Sequence, residues 1–198
     1  MPATPLHYPL AHGLSKLSRK LSLPGLVVGS WILDIEVPVM RLFFRDLPDH
    51  LVLHSLIGAV TIGTGIAAMV TWLLYPPIIS TVFGVDNERL REVSRPSKML
   101  LLSCLIGVLS HLLLDYPIHW FNPILWPWID PYDIVGPLVL LFAPFGSISG
   151  VAYTMANLLT NAVMVVWCVL ILKRYWGKEL WENLWAGSSM ARNKPLLQ

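Results

Sequence analysis

The chain has 198 residues, 55% of them hydrophobic and 13% charged, with a mean hydropathy of +0.62 and a formal net charge of +2. So apolar a balance suits lipid and excludes a soluble globular domain. The small net charge, with no basic face of interleaved aromatics, excludes nucleic acid as a partner.

From the N-terminus, Leu6, Leu10, Leu14, Leu17 and Leu21 fall three and four apart, with Lys16, Arg19 and Lys20 elsewhere around the turn. That pattern predicts an amphipathic helix in the membrane interface over residues 1–23. Its mixture of basic and apolar residues offers no plain apolar stretch, so no cleavable leader is expected. Pro24 ends it. Residues 25–44 are apolar apart from Asp34, Glu36 and Arg41, while Gly29, Ser30 and Pro38 weaken a straight helix. A broken or re-entrant helix pair bent near Asp34 follows.

Pro48 suits the first turn of a helix that carries His50 and His54 and runs to residue 75, where Ala59, Gly63 and Ala67 let a neighbour approach closely. The stretches 51–75, 99–116 and 151–172 are each long enough, or nearly so, to cross about 30 Å of hydrocarbon. A fourth, 134–146, is shorter and broken by Pro137 and Pro144. Residues 86–98 form the strongly charged loop, and Trp120, Phe121, Trp126, Trp128 and Tyr132 mark a loop at a membrane surface. Leu180, Trp181, Leu184 and Trp185 predict a second interfacial helix. The expected fold is one all-α polytopic membrane bundle of about four spans. Residues 1–23 are interfacial, 24–172 form the bundle with its broken N-terminal segment, and 173–198 form an interfacial tail. Cys104 and Cys168 lie in apolar runs and read as small core residues.

The chemistry centres on SHLLLDYPIHW, residues 110–120. His111 and Asp115 are four apart, so on a helix they share one face and can grip one metal ion. His50 and His54 have the same spacing. One pair starts a helix leaving a membrane face and the other ends the helix returning to it, so both lie near one surface, where Asp34 can reach them. A lone carboxylate there is costly, and a cation removes most of the penalty. Glu36 is the candidate general base, and His50 a catalytic or supporting residue. His7 could join the ligands or anchor the first helix; His12 and His119 are weaker candidates. Asp130 and Asp133 read as helix caps.

In order and spacing, TPLHYPLAH, GSWILDIE, DHLVLHS and SHLLLDYPIHW followed by NPILWPW resemble the YdjM-like family of membrane-bound metal-dependent hydrolases. The likeness covers about the first two-thirds of the chain. It departs at Leu33, where the family often has proline, and at Glu36, where it often has aspartate. A more distant likeness is to the zinc-dependent phospholipase C proteins. It implies that Asp34, His54, His111 and Asp115 hold one zinc, and that His7 helps hold a second with Asp115 bridging.

Imidazole and carboxylate ligands without thiolate favour zinc, with manganese and iron next. The expected function is zinc-dependent hydrolysis of a phosphoester in a lipid or lipid-linked substrate. Two alternatives stand beside it: a lipid amidase of ceramidase-like type, and a non-enzymatic subunit of a membrane complex. Expected partners are a membrane lipid and, for a subunit, a second copy or a larger complex. Four spans after a re-entrant segment put the site and the tail on one face, which by the positive-inside rule is the cytoplasmic side of the cell membrane.

Overall fold

The computed structural model describes residues 4–18, 20–177 and 179–187, and among them every regular element is helical. A 3-10 turn, Thr4–His7, leads into α1 (Tyr8–Leu17), which a short turn joins to α2 (Leu23–Ile32). The Ser22 side chain caps α2 by accepting from the Gly25 N–H. The bend expected at Asp34 is a 3-10 turn, Leu33–Ile35, followed by α3 (Glu36–Phe43), whose Val39, Leu42 and Phe43 are exposed.

Residues 44–55 are not helical, so the helix expected from Pro48 onward starts later. Ser55 caps α4 (Leu56–Leu73) by accepting from the Gly58 N–H, and a π-helical stretch, Ala59–Gly63, lies within it. Then come α5 (Tyr75–Phe83), α6 (Asn87–Val93) and α7 (Lys98–Asp115), whose cap is Ser97. After a loop of 3-10 turns follow α8 (Pro137–Phe142), α9 (Tyr153–Tyr175) and α10 (Leu180–Trp185).

Among the described residues three helical segments are long and apolar enough to cross a membrane: Leu56–Leu73, Lys98–Ile118 and Ile148–Tyr175. This corrects the expectation of about four. The stretch 134–146 forms only the six-residue α8 and a 3-10 turn. At 1.5 Å per residue, α8 is about 9 Å long, a third of the hydrocarbon thickness.

The bundle has two ends. At the distal end the α1–α2 turn meets the charged loop: Ser22 Oγ donates to the Val93 carbonyl at 2.8 Å and the Ser22 N–H to Ser103 Oγ at 2.9 Å. The tail docks at the same end. Tyr75 Oη donates to the Trp185 carbonyl at 2.8 Å, and Arg89 pairs with Glu182. From there α2 and α7 run side by side toward the other end. A Cβ on Gly29 would lie 2.4 Å from the Cys104 carbonyl oxygen, and one on Gly107 would lie 2.4 Å from that of Leu26. Glycine is required at both positions because the two backbones touch.

Candidate metal centre

The contact between α2 and α7 brings the last turn of α2 against His111. His111 lies 13 residues beyond Lys98, so the site sits about 20 Å along α7 from its distal end. The last carbonyls of a helix have no partner within it. One of these, Ser30, accepts from His111 Nδ1 at 2.8 Å. His54, just before the cap of α4, gives its Nδ1 hydrogen to Glu36 Oε2, also at 2.8 Å. Both partners only accept, so each ring, when neutral, carries its hydrogen on Nδ1 and a lone pair on Nε2.

Those lone pairs converge. His54 Nε2 and His111 Nε2 are 3.3 Å apart, and Asp115 Oδ2 is 3.3 Å from His111 Nε2. Asp34 Oδ1 stands 3.6 Å from His111 Nε2 and 3.8 Å from His54 Nε2. One ligand atom from each of the four residues lies within 4.8 Å of the others. Zinc bonds of about 2.0–2.1 Å in a tetrahedron give ligand separations of about 3.3 Å. All four side chains are buried, His111 completely. Asp34 Oδ1 and Asp115 Oδ2 have no hydrogen-bond partner. Four acceptors facing one point with no donor between them is an arrangement that a cation completes. The set can hold one metal ion.

The residues around it hold the ligands in place. Thr4 Oγ1 donates to Asp34 Oδ2 at 2.5 Å, leaving Oδ1 for the centre. His7 stacks on His111, with ring centroids 4.2 Å apart, and its Nε2 is 3.3 Å from Asp115 Oδ1. It touches the outer oxygen of Asp115 and lies outside the set of four. Glu36 is fully engaged: besides His54 it accepts the N–H groups of Leu51, Val52 and Leu53 at 3.1, 2.5 and 3.0 Å. Such a carboxylate orients its imidazole and pins the loop that carries it.

His50 turns its Nδ1 to Asp49 Oδ1 at 2.8 Å, and Asp49 also binds Arg41. The His50 hydrogen bond, opposed by burial and helped by Arg41, holds Asp49 below the usual carboxylate range. His119 gives its Nδ1 hydrogen to the Asp115 carbonyl at 3.0 Å, and burial lowers its pKa to about 4. A narrow cleft runs from His54 and Asp115 to His50, His119 and Asn122. His12 sits elsewhere, between Tyr8 and Tyr175. Asp130 caps the 3-10 turn Pro131–Asp133 by accepting from the Tyr132 N–H.

Three contributors went unassigned in the sequence. Thr4 was visible only as the first residue of a Thr-x-x-His motif, and Asp49 only as an acid beside His50. The Ser30 carbonyl is main chain and leaves no signal. Comparison with family models, curated proteins and solved structures finds no match for this chain.

Proposed function

We propose that the protein is a membrane-embedded, metal-dependent hydrolase that cleaves a phosphoester in a lipid or lipid-linked substrate, with zinc held by Asp34, His54, His111 and Asp115. The convergence of four buried acceptor atoms within 4.8 Å of one another carries this reading. A divalent ion supplies Lewis acidity there, lowering the pKa of a coordinated water to about 7 and polarising the ester oxygen. Glu36 and the Ser30 carbonyl orient the two imidazoles, Thr4 orients Asp34, and a narrow cleft opens beside His54 and Asp115. The resemblance to YdjM-like membrane hydrolases supports the same assignment. Exposed apolar side chains on the helices that carry Asp115 and Glu36, among them Leu113 and Phe43, suit a substrate arriving from the bilayer.

Metal analysis of the purified chain tests the reading. Wild type is expected to carry about one ion per chain, and His111→Ala and Asp115→Ala to lose it along with lipid ester turnover. A wild type that neither purifies with metal nor takes up zinc on titration overturns it. Full metal with no turnover of any lipid ester supports the non-enzymatic subunit instead.

The three spans also bear on orientation. Lys16, Lys20, Arg89, Arg91, Arg95, Lys98, Lys173 and Arg174 belong to the distal end, whereas the site end has Arg41 and Arg45. Among the described residues this is eight against two, which under the positive-inside rule supports a cytoplasmic distal end and a site open to the opposite leaflet of the cell membrane. This reverses the orientation expected from four spans, because an odd number of crossings separates the tail from the site.

A further inference from the structure

Of the imidazoles near the centre, His54 and His111 aim their Nε2 lone pairs at the four-atom set. His119 does not. Its Nδ1 hydrogen is committed to the Asp115 carbonyl, so Nε2 is left as an acceptor. That atom is buried and has no hydrogen-bond partner, and the residue is 5% exposed. Its ring forms part of the cleft wall, facing His50 at a centroid distance of 5.2 Å. His54 and Asp115 line the same cleft. Asp115 thus serves two sites, its Oδ2 joining the metal set while its main-chain oxygen orients His119.

A buried acceptor without a donor is costly, and a native structure keeps one where a ligand supplies the donor. The rest of the wall combines the apolar Leu112, Pro123 and Ile124 with Tyr116, Asn122 and His50. We propose that His119 Nε2 accepts a hydrogen bond from a hydroxyl on the alcohol portion of the substrate, so that the cleft selects hydroxylated headgroups. This rests on the hydrolase reading, in which the phosphoryl group lies against the metal and the alcohol extends into the cleft. His119 is then a specificity-determining residue. A site built to bind a hydroxyl rejects the analogue lacking it, because its own polar atom stays unpaired.

Calorimetric titration of the full zinc-loaded chain in detergent micelles tests this, with sn-glycerol 3-phosphate and n-propyl phosphate as probes. The two share a phosphate and a three-carbon chain and differ in hydroxyls. Wild type is expected to bind the glycerol ester about tenfold more tightly. His119→Phe should bring the two to parity with zinc content unchanged, and His119→Gln, whose amide oxygen restores an acceptor, should recover part of the preference. Parity in wild type, a preference that survives His119→Phe, or binding of neither probe overturns the inference. If zinc is held and lipid ester is turned over while the probes bind alike, this inference alone falls; if zinc is not held, the hydrolase reading falls with it.

Discussion

A proton and a metal ion compete for Nε2 of His54. Burial disfavours a charge on this ring, but the Asp34 and Glu36 carboxylates outweigh it and raise its pKa to about 9. Without metal, a proton therefore occupies Nε2 at neutral pH. That proton makes one hydrogen bond and leaves Asp34 Oδ1 and Asp115 Oδ2 unpartnered, so it replaces the ion incompletely. Metal binding must expel it. Below pH 9 affinity should rise with pH, about tenfold per unit between pH 7 and 9, and then level off. Zinc competition with a chromophoric chelator at pH 7, 8 and 9 measures this, and a flat profile would remove His54 from the ligands. The pair His111 and Asp115 was legible from spacing alone because α7 is a regular helix at that point. The pair His50 and His54 was not, since those residues precede α4 and helical spacing does not govern them. Glu36, the expected base, instead spends both oxygens on His54 and three backbone N–H groups, a role visible only once the loop is folded over it.

Among the elements, the contact between α2 and α7 decides where the ligands fall. In the sequence Gly29 reads as a helix breaker, yet it sits within α2 and marks where another backbone passes. A lone glycine gives both signals, and only the partner helix tells them apart. Gly29→Ala places a methyl group 2.4 Å from the Cys104 carbonyl oxygen. It should destabilise the protein by about 1–3 kcal/mol and weaken zinc binding, because the Ser30 carbonyl moves with it. Gly65→Ala, within α4 and with nothing inside 4 Å of the new methyl, should be neutral or stabilise by up to about 1 kcal/mol. Thermal unfolding in detergent distinguishes the two, and equal effects would argue against a tight α2–α7 contact. The overcounted span has an equally local cause. Hydropathy over 134–146 is high, but Pro137 and Pro144 leave room for only a six-residue α-helix between them.

For the whole molecule, the all-helical membrane class was legible from composition, whereas the relation of tail to site was not. That relation rests on Tyr75 and Arg89 meeting Trp185 and Glu182 of α10, contacts between parts of the chain about a hundred residues apart. The resulting orientation can be checked by labelling intact cells with a membrane-impermeant maleimide, after Cys104 and Cys168 are replaced by serine. A single cysteine at the exposed Asp46 should react from outside, and one at the exposed Glu92 only after permeabilisation. The reverse pattern would place the site toward the cytoplasm.

The Ser30 carbonyl oxygen has one more consequence. Truncating every residue to alanine, one at a time, would pass over it, because Ser30→Ala keeps the oxygen that aims His111. A scan of that kind would find the ligands and Glu36 yet score position 30 as dispensable. Replacing the amide linkage after residue 30 with an ester, which weakens that oxygen as an acceptor, is the chemical change that would expose its contribution.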